Sequence, residues 1–288
     1  MNSPISYHLA PGNVVQGRYD AYKLRGLLDE TGMSKVFVAE SKRHESLIVV
    51  KEYLHNRRSH AFEREGYAHD KIHELGGHPN IVSAIEFIPL DDGTNLGVFP
   101  YVSGETLKNK LLKLYPFVFH PSRIAKYFAE ICGAIDYING LGIIHRDIKS
   151  GNVIITEKPS GLVAKVIDFG VSVHPEIEDL DLEGGVAYGT PQFIAPEAII
   201  GDKKDYRSDI YSLGILGFQL LCNAVPFDDS NLTKIALQHL EDPLPQISAF
   251  NPYVKPAMQE VLEIATAKKP EDRYQTANEL KKYFLRAI

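Results

Sequence analysis

At 288 residues and 44% apolar content the chain can bury a sizeable core, and it exceeds the ~100–200 residues usual for one domain. A formal net charge of -6 gives no general attraction to nucleic acid or anionic lipid. The first residues lack the basic and apolar regions of a signal peptide, and the longest apolar stretch, 213–227, is interrupted by Gln219, Asn223 and Pro226, so it does not qualify as a membrane segment.

In chain order, residues 1–13 read as a leader, and from Tyr22 to about Pro100 the pattern is strand-rich. Val36–Ala39 and Leu47–Tyr53 are expected strands around a polar turn, Glu40–Ser46. A helix is expected near Ser59–Leu75, then strand material through Ile81–Ile88 and Leu96–Phe99. The segment Pro100-Tyr101-Val102-Ser103-Gly104 interrupts the pattern and reads as a hinge. Beyond it helices dominate. Ser122 is a plausible cap for a helix whose Ile124, Phe128, Ile131, Ile135 and Ile138 recur at three- and four-residue steps, ended by Gly140 and Gly142. Around Asp209–Leu221 the apolar residues run on all sides, which implies complete burial. A last helix is expected at about Thr276–Ala287. Cys132 and Cys222 fall unclustered in apolar helical patterns and read as reduced core thiols, not as a disulfide or zinc site. A reducing, cytoplasmic compartment fits this composition.

The most informative stretch is His145-Arg146-Asp147-Ile148-Lys149-Ser150-Gly151-Asn152, followed by Asp168-Phe169-Gly170. Val153–Thr156 and Val163–Ile167 read as the strands of a hairpin turned at Lys158-Pro159-Ser160-Gly161. Antiparallel pairing then puts Asn152 and Asp168 at the same open end. An amide oxygen beside a carboxylate is a hard-oxygen pair suited to magnesium, with a phosphate completing the shell. Asp147 enters from the preceding loop, free to accept a proton from a hydroxyl. That is equipment for phosphoryl transfer from ATP.

His145 through Asn152 resembles the catalytic loop of protein kinases, and Asp168-Phe169-Gly170 resembles their metal-binding triplet. Gly189-Thr190-Pro191-Gln192-Phe193-Ile194-Ala195-Pro196-Glu197 looks like the serine/threonine form of the segment that closes the activation loop. The matches run in family order from about Val14 to the C-terminus. The leader 11–19, the Gly32-Met33-Ser34 turn and Arg273-Tyr274-Gln275-Thr276 look most like the bacterial branch.

The resemblance implies roles for further residues. Lys51, alone, reads as a solvated lysine at a strand end. Glu65, however, lies on the helix stripe of Ala61, Phe62, Ala68, Ile72 and Leu75, where an unpaired carboxylate is costly. Lys51 is the cation that the family supplies, oriented toward ATP. Glu63 is the alternative partner, but its phase points it to solvent. The phosphate-covering loop departs from the family pattern, because Asp29, Thr31 and Ser34 occupy the three glycine positions and only Gly32 remains. The implied nucleotide-binding positions are Leu28, Gly32, Val36, Val49, Lys51, Glu65, Phe99, Pro100 and Val102. Of these, Phe99 is the gatekeeper, and Pro100 and Val102 are the adenine-contacting backbone. Lys149 would neutralise the transferring phosphoryl group, and Thr190 would help Asp147 and Lys149 engage a hydroxyl. Asp209 reads as an ordinary helix N-cap and, by resemblance, as a brace for the catalytic-loop backbone, two compatible roles, and Arg273 would pair with Glu197. Arg146, next to Asp147, commonly calls for a phosphate in the activation loop. Here the loop instead carries Glu176, Glu178, Asp179, Asp181 and Glu183, with only Ser172, Tyr188 and Thr190 as hydroxyls. Either the loop is a solvated acidic run, or one acid pairs with Arg146 and removes the need for phosphorylation.

These observations predict an α+β, protein-kinase-like fold of two lobes: a small β-rich N-lobe with one key helix (14–99), a hinge (100–104) and a larger helical C-lobe (105–288). The implied function is ATP-dependent phosphorylation of protein Ser/Thr hydroxyls. Asp147, Lys149 and Asn152 are the catalytic set, Asn152 and Asp168 the ligands for magnesium (manganese as a substitute). Substrates with basic residues near the target are expected, and no nucleic-acid partner. The alternative is a pseudokinase scaffold that binds ATP weakly through its altered loop. A small-molecule kinase is a third reading, disfavoured by the 190–197 segment.

Overall fold

The computed structural model describes residues 9–54, 60–159, 161–174, 189–201 and 205–288. It divides into two compact units, one holding the chain to Gly77 together with Val82–Val102, the other holding His78–Ile81 and Ser103–Ile288. The break near Val102 falls inside the segment read as a hinge. Residues 78–81 join the second unit because Asn80 is bonded there: its Nδ2 donates to Ala164 O (2.8 Å) and its carbonyl accepts from Val166 N (2.7 Å).

The first unit is an antiparallel sheet in the order β1-β2-β3-β4-β6-β5. Its strands are β1 Val14–Gln16, β2 Ala21–Glu30, β3 Ser34–Ser41, β4 Leu47–Tyr53, β5 Glu86–Pro89 and β6 Asn95–Pro100, with the helix α1, Ala61–Glu74, between β4 and β5. Period-2 alternation divides the strands cleanly. Tyr22, Leu24, Phe37, Ala39, Ile48, Val50, Leu96 and Val98 form a buried cluster on one face. Register places Val36 opposite Lys51, Val38 opposite Val49, and Val49 opposite Phe99, so these residues share the other face. Two expectations are corrected. Glu40 and Ser41 continue β3 and do not form the turn, and within Ile81–Ile88 only the end from Glu86 is a strand. There Glu86 is buried and accepts from Tyr22 Oη (2.5 Å) and Arg18 N (2.8 Å), anchoring the entry to β2.

The second unit begins with β7 Gly104–Thr106 and two helices, α2 Leu107–Leu114 and α3 Pro121–Gly140. The strands β8 Val153–Lys158 and β9 Gly161–Val166 complete a three-stranded sheet, β7-β8-β9. Then follow α4 Pro196–Ile199, α5 Arg207–Cys222, α6 Leu232–Glu241, α7 Ile247–Phe250, α8 Ala257–Ala265 and α9 Ala277–Ala287. α5 is buried along almost its whole length, as its all-round apolar pattern requires. Its Gly217 lets Leu262, Phe284 and Phe128 approach to where a Cβ would stand 3.1–3.3 Å from each. Phe128 and Phe284 stack at 3.8 Å behind it, each contributing about 1.5–3 kcal/mol by burial. Both cysteines are buried and free, and burial pushes the thiols up, Cys222 to about 12, which makes them inert.

Two cap assignments are corrected. α3 is capped by His120, with Pro121 at its first position, and Ser122 is inside the helix donating its N–H to His120 Nδ1 (3.3 Å). Proline's fixed φ suits the first helical position, and the start lies two residues earlier than the serine suggests. Asp209 lies in the first turn of α5, whose N-cap position is Tyr206, and its carboxylate serves another segment. By contrast, Thr276 does cap α9, accepting from Glu279 N (3.0 Å).

Candidate active site

In the first unit, Lys51 Nζ donates to Glu65 Oε2 at 2.7 Å. Both residues are buried, Glu65 at 1% exposure, whereas Glu63 stands in solvent, which resolves the choice between the two glutamates. Tyr53 Oη donates to the same Glu65 oxygen at 2.7 Å, and the Lys51 ammonium lies 5.1 Å from the Tyr53 ring centroid. Sequence reasoning missed Tyr53. The available signal was alternation, since Tyr53 is two residues beyond Lys51 on the same strand face. Gly97, opposite Lys51 on β6, is the second omission. A Cβ there would lie 2.9 Å from Tyr53 Oη and 2.8 Å from the Phe99 ring, so glycine clears the path of the hydroxyl. Phe99 packs edge-on against His69 of α1, ring centroids 5.5 Å apart. The Val102 N–H makes no hydrogen bond among the described residues and is available to a ligand.

The turn between β2 and β3 is closed differently from what its one glycine suggests. Thr31 N donates to Ser34 O (2.9 Å), and Thr31 Oγ1 accepts from Met33 N (3.2 Å) and Ser34 N (3.1 Å). A threonine hydroxyl thus occupies two backbone N–H groups of the kind that cradle phosphate. Leu28 is exposed, Gly32 has open space where a Cβ would be, and Val36 and Val49 are half-buried.

The second unit gathers the catalytic-loop residues into one network. Lys149 Nζ donates to Asp147 Oδ2 and to Thr190 Oγ1, both at 2.7 Å, and Thr190 Oγ1 donates to Asp147 Oδ1 at 2.8 Å. Asn152 Nδ2 donates to Asp147 Oδ2 and to the Asp147 carbonyl, both at 2.9 Å. That contact turns the Asn152 amide oxygen the other way. Ile167 N donates to Asn152 O (3.0 Å), fixing Asp168 at the open end of the β8–β9 hairpin beside Asn152. Asp168 has φ +69 and Arg146 φ +65, left-handed conformations that cost a non-glycine residue of order 1–3 kcal/mol and persist where the surroundings over-determine them.

Asp209 supplies that surrounding at Arg146. Its Oδ2 accepts from His145 N and Asn139 Nδ2, both at 2.9 Å, and its Oδ1 from Arg146 N at 3.0 Å. Burial raises its carboxyl above the ordinary value, while the His145 ring and the donors pull the other way. Gly189, with φ +117, passes so close that a Cβ would lie 2.7 Å from Arg146 O. Neither Asn139 nor Gly189 carried a sequence signal for these roles. Glu197 pairs with Arg273 through two 2.7 Å bonds, fully buried. Glu176, Glu178, Asp179, Asp181, Glu183 and Tyr188 lie outside the described residues. Ser172 is buried.

Asn152 and Asp168 both lie at the open end of the β8–β9 hairpin, and an amide oxygen with a carboxylate is a hard-oxygen donor set of the kind that holds magnesium when nucleotide phosphates and water complete its shell. The residues fit the metal. Among the described residues no helix is long and apolar enough to cross a membrane.

A family model described as "Protein kinase domain" matches residues 22–285. The chain is 30% identical over 281 residues to the serine/threonine-protein kinase pkn3 of Myxococcus xanthus (92% of this chain, 50% of that protein). It is 31% identical over 274 residues to PrkC of Bacillus subtilis (93% and 40%), and 33% identical over 290 residues to PksC of Streptomyces coelicolor (94% and 51%). The chain therefore spans about half or less of these relatives. In fold it resembles the Mycobacterium tuberculosis PknI kinase domain, with a TM-score of 0.74 at 23% identity, covering 98% of this chain and 100% of that one. The chain belongs to the protein kinase domain family, with the serine/threonine kinases of bacteria.

Proposed function

We propose that this chain is an active serine/threonine protein kinase that transfers the γ-phosphate of ATP to hydroxyls of protein substrates. The observation that carries the reading is the triangle of Asp147, Lys149 and Thr190, in which the Thr190 hydroxyl already donates to Asp147 as a substrate hydroxyl would. Asp147 orients the incoming hydroxyl and accepts its proton. Lys149 places an ammonium beside the same carboxylate, where it offsets charge on the transferring phosphoryl group. Asn152 donates its amide N–H to the same Asp147 oxygen that Lys149 meets and helps to fix the carboxylate. Asn152 Oδ1 and Asp168 would hold magnesium, which when bound neutralises phosphate charge. Lys51, held by Glu65, is the phosphate-directed cation, and the Val102 N–H is the adenine contact.

Retention of all these groups favours catalysis over a scaffold role. The Thr31-closed turn favours weak ATP binding, because the N–H groups of Met33 and Ser34 are already engaged. A cytoplasmic setting agrees with two buried, inert thiols. The acidic run 176–183 suits substrates with basic residues beside the target hydroxyl. Asp147→Asn preserves shape and removes the carboxylate, so transfer of radiolabelled phosphate to a basic protein should fall about 10²–10⁴-fold. Activity within about threefold of the parent would contradict the mechanism.

A further inference from the structure

Between Thr106 and Ala129 the chain carries Lys108, Lys110, Lys113, Arg123 and Lys126 and not one Asp or Glu, although acids outnumber these bases 37 to 31 overall. Lys113 pairs with Glu105 and Lys126 with Glu130. Lys108, Lys110 and Arg123 make no ion pair among the described residues. Three large apolar side chains stand in the same stretch, Leu112 at 66% exposure and Tyr115 and Phe117 at 73%. Helical spacing explains the arrangement. Leu107 and Leu111 are buried against the unit, while Lys108 and Leu112, at i and i+4, line up on a different stripe of α2, and Tyr115 follows as its C-cap. The exposure does not come from a loose end. Tyr115 N donates to Leu111 O (3.1 Å) and Phe117 N to Leu114 O (2.8 Å), and Asn223 Nδ2 donates to both Leu111 O and Phe117 O. The backbone is pinned with its apolar groups turned outward.

We propose that this basic, apolar edge of the second unit is a docking surface for anionic lipid bilayers. Side chains exposed to this degree protrude and do not line a groove. A protruding Leu-Tyr-Phe tip suits a fluid interface into which it can sink, whereas a protein partner would have to supply the pocket itself. Lys108, on the stripe of Leu112, complements anionic headgroups and can lay its stem along the apolar boundary, and Lys110 on the same short helix adds a second unpaired positive charge. The local charge thereby does what the chain's net charge does not.

The chain contains no tryptophan, so Phe117→Trp installs a single reporter at the tip. With vesicles of equimolar phosphatidylcholine and phosphatidylglycerol, its emission should shift to the blue and the protein should cosediment. Phosphatidylcholine vesicles alone should leave both unchanged. Lys108→Gln with Lys110→Gln should weaken binding by roughly 25-fold, about fivefold per lysine near an anionic surface. Leu112→Ser with Tyr115→Ser should abolish the shift. Phosphotransfer measured without vesicles should be unaffected in every variant, showing that each is folded. The proposal is overturned if anionic vesicles leave the reporter unmoved, if neutral vesicles move it equally, or if either double variant binds like the parent. A reporter that responds to a Glu-rich apolar peptide and not to vesicles also overturns it, in favour of a protein partner.

Discussion

Replacing Arg273 by methionine removes one partner of a fully buried ion pair and leaves the Glu197 carboxylate behind. The arginine is saturated. Its two terminal nitrogens meet Glu197 at 2.7 Å, its Nε donates to Ala267 O (2.7 Å), and the remaining hydrogens go to Arg207 O (2.9 Å) and Lys268 O (3.0 Å). Five donors meet five acceptors, and the guanidinium also lies 5.0 Å from the Tyr211 ring centroid. Truncation of one partner of such a pair costs about 3–5 kcal/mol, because the surviving charge is desolvated and unpaired. Against a total of roughly 5–15 kcal/mol for a folded domain, that is a large fraction. Equilibrium urea unfolding reads it as a lower midpoint at unchanged slope. Arg273→Lys should be nearly as harmful, since three donors cannot serve five acceptors. Glu197→Gln combined with Arg273→Met should recover part of the loss by removing the stranded charge. A single-variant loss below about 1 kcal/mol, the range of exposed pairs, would refute the reasoning.

Further outcomes follow from other contacts. Tyr53→Phe deletes a hydrogen bond to the buried Glu65 carboxylate and should cost about 1.5–3 kcal/mol in the same assay; a cost near zero would mean that Glu65 finds another donor. Asp29→Gly with Thr31→Gly frees the Met33 and Ser34 N–H groups and removes a negative charge, so the ATP KM should fall from the upper part of the ~1 μM–1 mM range more than kcat changes; calorimetric titration of both forms decides, and low-micromolar binding by the parent would contradict it. Burial, with help from Lys268, holds the His239 imidazole down from 6.5 to about 4. The unfolded chain therefore takes up a proton below 6.5 that the folded chain refuses until about 4. Stability from this group is complete above the upper value and is lost as pH falls through the lower one, by on the order of 3 kcal/mol. His239→Phe should flatten that part of the pH–stability curve, and an unchanged curve would show that the ring does not titrate there.

The residues proposed to engage substrate and metal were legible because they sit in short stretches that resemble the family's catalytic loop and metal-binding triplet. Asp147, Lys149 and Asn152 lie within six residues, and a hairpin brings Asp168 back beside Asn152. Glu65 was legible from helix phase alone, since a carboxylate on an apolar stripe must have a cation. Helices α1, α3, α5 and α9 were readable in the sequence, whereas the shorter α2, α6 and α8 were not singled out. The first residues of α3 and α5 were misplaced because a proline at the first position or a carboxylate used elsewhere changes the cap without changing the pattern. What the tertiary structure alone decided were the contacts that hold the site in shape. Asp209 meets residues more than sixty positions away, Gly189 clears the Arg146 carbonyl, Gly97 clears the Tyr53 hydroxyl, and Thr31 closes the β2–β3 turn with its own hydroxyl. The first three depend on close approach between segments, and steric room between distant parts of a chain leaves no periodicity in its sequence, while the Thr31 turn depends on a side-chain rotamer that the residue type alone does not fix. Local composition and spacing therefore determined the chemistry, and packing determined how it is held.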